Sequence, residues 1–353
     1  MALRAETRLP VDDTPVRGRP ARHPAMTDVA RLAGVSHQTV SRVLNGHPHV
    51  REQTRLRVRA AIDELGYRPN RAARALATGR SQVIGVVAQH STLYGPASLL
   101  AALELASDTA GFAVRVRRVR ALDRANILDA VDRLRDDQVA GIVVIAPTLS
   151  ASEALAAIPT DVPLVTVDGD PDRATALVTV DQVSGAHQAT RHLLDIGHRT
   201  VWHVSGPPDW FDSAGRVEGW RRALERSGAE VPPVVAADWS AAAGYHAGQA
   251  LARMPEVTAV FAANDHLALG VLRAMHERGR RVPTDVSIVG FDDVPEAAYF
   301  TPPLTTVRPD FDAVAGDALG LLLAQIEDGE VSVARRTREP ALVRRDSVTA
   351  PPG

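Results

Sequence analysis

Five polar side chains on one short segment set the first chemical expectation. From Ser36 the sequence runs S-H-Q-T-V-S-R-V-L-N, and at helical spacing His37, Gln38, Ser41, Arg42 and Asn45 share one side while Val40, Val43 and Leu44 share the other. Imidazole, amide, hydroxyl and guanidinium groups on one helix face are the donors and acceptors that meet base edges and phosphates of duplex DNA. Just upstream, Val29, Ala30, Leu32 and Ala33 give a preceding helix an apolar side, and Gly34 supplies the backbone freedom of a sharp turn. Ser36 is placed to cap the second helix by accepting from the N–H groups of its first turn. Helix pairs joined by glycine also occur in ordinary helical cores. Such a pair has little reason to carry five polar side chains on its second helix, so a helix-turn-helix reader of DNA is expected.

A second set of chemical groups stands at the ends of apolar runs. Val165–Val167 runs into Asp168, Val260–Ala263 into Asn264 and Asp265, and Ile288–Phe291 into Asp292 and Asp293. Arg216 lies at the opening of a helix that follows Ser205–Pro208. Carboxylates, an amide and a guanidinium can hold neighbouring sugar hydroxyls in pairs, and an aromatic face can stack on the C–H side of a sugar. Trp239 is the first stacking candidate, with Trp210, Phe211 and Tyr94 behind it. Taken singly, each acid equally suits the N-cap that a strand-to-helix turn needs; four converging on one cleft fit ligand binding better. Paired carboxylates would also suit a glycosidase, yet the chain has no G-x-S-x-G, no H-E-x-x-H and no phosphate-cradling glycine loop. The 12 histidines show no ligand spacing. No enzyme, metal or cofactor is expected.

Several elements must position these groups. Arg51–Leu65 forms a third helix burying Val58, Ala61, Ile62 and Leu65, and Gly66 ends it with a left-handed cap. Tyr67–Ser81 follows, with Asn70 a candidate N-cap and Arg71–Ala77 rich in helix formers. A helix that short does not persist alone in water, so it is expected to fold when DNA orders it, with Leu76 as a minor-groove wedge and Arg71 and Arg74 on the backbone. A plain linker is the alternative, although a simple tether would use Gly, Ser or Pro. From Gln82 the texture alternates between apolar strands (83–88, 113–119, 141–146, 163–167, 200–205, 259–262, 287–291) and amphipathic helices (97–110, 124–136, 185–196, 214–227, 241–253, 266–278, 311–328). That pattern indicates an α/β fold of doubly wound parallel sheets, too long for one core and therefore two-lobed, with a cleft between the lobes.

Composition agrees with this division. Residues 1–80 carry 15 arginines against 7 acids, the rest of the chain 25 against 35, which is the footprint of a nucleic-acid head on an acidic body. No lysine and no cysteine occur, so disulfides and thiolate chemistry are excluded. No apolar run reaches the ~18 residues of a membrane helix and no signal pattern opens the chain; a cytoplasmic protein is expected. Residues 1–24 lack any apolar period and are expected to form a disordered tail, in which Arg17–Pro20 either touches a minor groove or, more plainly, is a solvated leader.

The segments DVARLAGVSHQTVSRVLNG, YRPNRAARALATGRS, GHRTVWHVSGP, AANDHLALG and VSIVGFDDVPEAAYFTPPLTTVRPDF resemble the lactose-repressor and galactose-repressor (LacI/GalR-type) family over residues 26 to about 347. The resemblance implies an all-α headpiece (25–69), a hinge (70–80) and an effector-binding, dimerising body (81–347) of periplasmic-binding-protein type, followed by a short tail (348–353). One lobe is expected from about 81–180 and 309–338, the other from about 181–308 and 339–347. It implies a homodimer on a near-palindromic operator, with His37 and Gln38 as the main base readers and Ser36, Thr39, Ser41, Arg42, Asn45 and His49 as backbone or secondary base contacts. Thr27, Asn70, Arg71, Ala73 and the intercalating Leu76 complete the implied DNA contacts. In the cleft it implies Asp168, Arg216, Asn264 and Asp292 on sugar hydroxyls, Trp239 stacking, and Tyr94 beside them. Where the lactose-responsive pattern has a Phe, an Asn and a Gln, this chain has Val180, Ile145 and Pro309, which leaves a sugar or glycoside expected but not the lactose-type inducer. A non-sugar corepressor such as a purine, a stand-alone sugar-binding protein and a glycosidase are the alternatives. The chain reaches Gly353 without leucine heptads, so a dimer is expected rather than a tetramer.

Overall fold

A computed structural model describes residues 24–44, 46–67, 81–155, 158, 162–170, 172, 174, 176–329 and 333–352. These fall into two compact units that divide near residue 80. Asn45, the segment 68–80 with Asn70, Arg71, Ala73 and Leu76, and the tail 1–23 lie outside the described residues.

Among its described residues the first unit has three helices, α1 (Met26–Ala33), α2 (His37–Leu44) and α3 (Glu52–Leu65). The Asp28 side chain accepts from the Ala25 N–H at 2.9 Å at the start of α1, and Gly34 ends it with φ +62°, a conformation that costs a residue with a Cβ. Val29, Ala30, Ala33, Val40, Val58, Ala61 and Tyr67 form the core. One expectation needs correction. Leu32 is 46% exposed, because at 3.6 residues per turn it lies roughly 110° round the helix from the stripe of Val29, Ala30 and Ala33. Tyr67, within the headpiece bounds of 25–69, closes this core: its N–H donates to Ile62 O at 3.0 Å and its ring is buried.

The second unit contains two six-stranded sheets. The first is parallel in the order β11-β5-β4-β3-β1-β2, from β1 (Val83–Gln89), β2 (Ala113–Val119), β3 (Gly141–Ile145), β4 (Leu164–Val167), β5 (Ala176–Val180) and β11 (Ala334–Arg338). Helices α4 (Tyr94–Thr109), α5 (Arg124–Asp136), α6 (Leu149–Leu155) and α11 (Phe311–Asp328) cover it. The second runs β12-β10-β9-β8-β6-β7, from β6 (Trp202–Ser205), β7 (Val235–Ala236), β8 (Ala259–Ala262), β9 (Ser287–Phe291), β10 (Thr305–Arg308) and β12 (Ala341–Val343). Only β12 is antiparallel to its neighbour. Its covering helices are α7 (Gln182–Asp195), α8 (Phe211–Arg226), α9 (Ala241–Leu251) and α10 (Asp265–Glu277). Both faces of each sheet are buried, as all-parallel sheets require.

The chain passes between lobes after β5, after β10 and after β11. The Asp181 N–H, at the first crossover, donates to Arg338 O at 2.8 Å at the end of β11, so two crossovers are tied together.

Five strands and one helix lie where the sequence pattern shows none: β5, β7, β10, β11, β12 and α6. The two-residue β7, three-residue β12 and seven-residue α6 are too short for a period to register. β11 reads A-R-R-T-R and is largely exposed; it is an edge strand whose Arg336 and Arg338 bond the Asp317 carboxylate on α11, so no apolar alternation marks it. Helices α4, α7 and α8 each begin three residues before their apolar period. Those first turns, following the carboxyl ends of strands and outside the apolar period, hold Tyr94, Gln182 and Asp212.

Candidate functional site

On the headpiece, α2 turns its polar side outward. His37, Gln38 and Arg42 are exposed, and Thr39 and Ser41 half-buried, while Val40 is fully buried. Ser36 caps the helix as expected: the Thr39 N–H donates to its Oγ at 3.2 Å, and the two hydroxyls lie 2.9 Å apart. Thr27 is exposed on α1, and His49 is exposed beyond α2, its ring centroid 5.5 Å from that of His47. A short helix with one buried stripe and an exposed amide, imidazole and guanidinium is a face able to enter a major groove.

In the body, Tyr94, Asp168, Arg216, Trp239, Asn264 and Asp292 line one cavity between the sheets, joined by Leu93, Gly95, Pro96, Ile145, Pro147, Val180, Gln182, Trp210, Asp212, Pro309 and Phe311. Phe211 is absent from this lining; it opens α8, its N–H donating to Pro147 O at 2.9 Å. Asp212 and Gln182 are the lining groups that sequence reading missed. Asp212 stands one helical turn before Arg216, so an i, i+4 pair was there to be seen; nothing local marks Gln182.

Arg216 is buried at the centre. Its Nε donates to Gln182 Oε1 at 2.9 Å and its Nη1 to Ala263 O. Its Nη2 lies 3.5 Å from Asp292 Oδ1 and 3.7 Å from Asp212 Oδ2. Beneath, the guanidinium carbon sits 3.7 Å from the Phe291 ring centroid, a cation–π contact. One guanidinium therefore pairs with two carboxylates and acts through its charge on a third, Asp168. Burial pushes the Asp292 carboxyl up to about 7, with Asp212 adding to the rise and Arg216 opposing it. Burial also raises Asp168 well above the usual carboxylate range, reinforced by Asp212, and raises Asp212 itself.

Backbone geometry aims these acids. Asp168 and Asp292 have φ of +53° and +103°, strained values for residues with a Cβ. Adjacent acids separate. Asp293 pairs with Arg308 and Arg345. Asp265, fully buried, accepts from Thr306 Oγ1 at 2.6 Å and from the Val294 N–H at 2.9 Å, fixing the loop after Asp292 from below. Asn264 takes the plain capping role: its Oδ1 accepts from the Leu267 N–H at 2.8 Å, and its Nδ2 donates to Trp239 O at 3.2 Å. It thereby fixes the indole that it accompanies in the cleft.

Trp239 lies edge-on to Trp210, centroids 5.5 Å apart at 74°, and packs over Gly206, where a Cβ would collide with its six-membered ring. Two polar atoms of the lining are shielded from solvent and have no hydrogen-bond partner, Asp168 Oδ1 and Trp239 Nε1. Across the cleft, the loops after β3 and before α8 are joined by backbone bonds, Phe211 N–H to Pro147 O and Leu149 N–H to Asp209 O at 3.1 Å. The room between these side chains is about 30 Å³, enough for about two waters. Among the described residues no group of three His, Asp or Glu side chains is placed to hold a metal ion, and no helix is long and apolar enough to cross a membrane.

Comparison with known proteins places these features in a family. Residues 25–70 match the bacterial regulatory proteins of the lacI family, and residues 190–348 a periplasmic binding protein-like domain. The chain is 34% identical to the lactose operon repressor of Escherichia coli (strain K12) over 329 residues, 92% of this chain and 90% of that one. Among solved structures it is similar to a lac repressor dimer bound to operator and the anti-inducer ONPF, at 33% identity and TM-score 0.82, covering 93% of this chain and all of that one. It is also similar to a complex of the transcriptional regulator CelR with cellobiose, at 31% identity and TM-score 0.67, covering 92% and 99%. The helix-turn-helix headpiece and the two-lobed body thus both have their counterparts in these relatives, and the chain belongs to the lacI family of bacterial regulatory proteins, as a DNA-binding transcriptional repressor rather than an enzyme.

Proposed function

We propose that operator binding by this repressor is controlled by a sugar or glycoside held in the cleft between its lobes. The observation that carries the reading is the pair of unpartnered buried atoms, Asp168 Oδ1 and Trp239 Nε1, beside the Arg216 cluster. An unpaired buried polar group costs about 1–3 kcal/mol, so these two mark a place built for a ligand. One wants a donor and the other an acceptor, and a polyol hydroxyl offers both. A purine is favoured less, because the Trp210 and Trp239 rings stand nearly perpendicular and form no slot for a flat base.

The headpiece reads DNA through α2, with His37 and Gln38 as base readers, and the body pairs as a homodimer so that two such helices meet a near-palindromic operator. The related lac repressor was solved as a dimer on operator, and CelR with cellobiose; both support this arrangement. On sequence grounds Asn70, Arg71, Ala73 and Leu76 carry the hinge contacts. The narrow cleft links ligand to motion: with room of about 30 Å³ between side chains of both lobes, a pyranose that seats there shifts the lining groups and with them the lobes. A ligand changes operator affinity only by its preference for one lobe arrangement, and ~1.4 kcal/mol of preference gives a tenfold change.

A thermal-shift screen of neutral mono- and disaccharides against purines, followed by operator anisotropy at saturating concentration of each hit, tests this. Stabilisation by sugars with altered operator affinity is expected. A hit that leaves operator binding unchanged removes the control, and stabilisation by purines alone transfers the cleft to that class.

A further inference from the structure

The cleft does not end at its inner pocket. Tyr94, Asp292, Pro309 and Phe311 form a wall shared with a second, more open hollow of about 580 Å³, within the size that small-molecule sites take. We propose that this hollow is an outer subsite of the same effector: the inner pocket takes one sugar ring, and the hollow takes the next unit of a neutral di- or oligosaccharide. The proposal rests on the sugar reading above and extends it to the length and charge of the ligand.

Three features of the hollow point to such a unit. First, its four residues in common with the inner pocket mean that a glycosidic substituent leaving the inner ring past Tyr94 and Phe311 enters the hollow directly. Those two rings stand at the junction, centroids 6.2 Å apart at 67°, and present apolar surface for the C–H face of a second pyranose. Second, the hollow is rich in hydrogen-bond acceptors and poor in cations. Among the described residues its one lining cation, Arg308, is held by Asp293 at 2.5 Å, while Asp310, Asp312 and Glu339 add three carboxylates. Hydroxyl donors suit that wall; a phosphorylated or carboxylated sugar would meet like charge without compensation. Third, two crossovers between the lobes, Arg308–Phe311 and Glu339–Ala341, form part of its lining. A unit seated there touches the segments that must bend when the lobes move, which the inner ring alone does not do through Glu339 and Ala341.

The experiment compares full-length protein binding to cellobiose, lactose, maltose, trehalose and melibiose with binding to the methyl glycosides of their component sugars, by calorimetry. Two variants accompany it: Ser98→Trp, which fills the hollow from α4, and Asp312→Arg, at an exposed position on α11. Thermal melting confirms that each folds. At least one disaccharide is expected to bind ten times or more tighter than either methyl glycoside of its units, and both variants to erase that advantage while leaving methyl-glycoside affinity within about twofold. Equal affinity for disaccharides and methyl glycosides, or an advantage that survives in both variants, overturns the outer subsite and leaves the sugar reading standing. Failure of both sets to bind overturns the two together.

Discussion

Replacing Arg216 by methionine gives a sharp test of the cleft electrostatics. Methionine keeps much of the side-chain volume and removes the cation together with two donated hydrogen bonds. Gln182 Oε1 and Ala263 O lose their donor, at about 1–3 kcal/mol for each acceptor left unpaired. The carboxylates respond through pH. In the wild type the Asp292 carboxyl titrates at about 7, against about 3.9 in an unfolded chain. A carboxyl whose folded value is raised favours folding most below its unfolded value, and that contribution is lost as pH rises through the folded value. Between pH 6 and 8 this half-complete titration removes roughly 1 kcal/mol from wild-type stability. Without Arg216 the opposing charge is gone and the carboxyl titrates higher, so more of its proton is retained across the same interval and the loss is larger. The deficit of Arg216→Met should therefore grow from pH 6 to pH 8, by up to about 1 kcal/mol. Urea unfolding followed by tryptophan fluorescence measures it directly, because Trp202, Trp210, Trp220 and Trp239 all belong to the second lobe. Adding Asp292→Asn should flatten the pH dependence. A deficit equal at both pH values would refute the claim that Arg216 holds Asp292 in its charged form.

Other expectations follow from the same geometry. Gly206→Ala pushes a methyl into the Trp239 ring, so sugar-induced thermal shifts should fall while operator affinity without ligand holds; loss of both would mean a general folding defect instead. A neutral sugar donating to the Asp292 carboxylate favours its ionised form, so binding near pH 7 should release part of a proton and tighten from pH 6 to 8. Identical calorimetric enthalpies in phosphate and Tris buffers would contradict that. Gln38→Ala should relax preference at one operator base pair by about 1–3 kcal/mol and leave nonspecific DNA affinity nearly unchanged, as measured by anisotropy on operator and scrambled duplexes.

How much of this was legible depended on how local the information was. The headpiece is governed by spacing: Val29, Ala30 and Ala33 form one stripe, Val40 another, and Gly34 and Gly66 take the left-handed conformations that end their helices. Each of those constraints acts within a few residues. The strand-end groups were legible too, since parallel strands deliver their polar ends to one side of a sheet. Arg216 was misplaced by a turn, because α8 begins at Phe211 with polar residues that no apolar period reveals. For the same reason Asp212 and Gln182 escaped notice.

Sequence alone determined the alternation of strand and helix, the polar face of α2 and the candidate groups Asp168, Arg216, Trp239, Asn264 and Asp292, because periodicity and turn chemistry are short-range. Tertiary structure decided what each group does. Asp292 meets Arg216 while its neighbour Asp293 turns to Arg308 and Arg345, and Asn264 caps α10 while Asp265 sinks beneath the loop. Neighbours of one residue type part company because a positive φ, or one step along the turn after a strand, sends successive side chains to opposite sides. Only when two lobes close around a single guanidinium do three carboxylates share one charge, and that is a property of the packing rather than of any segment.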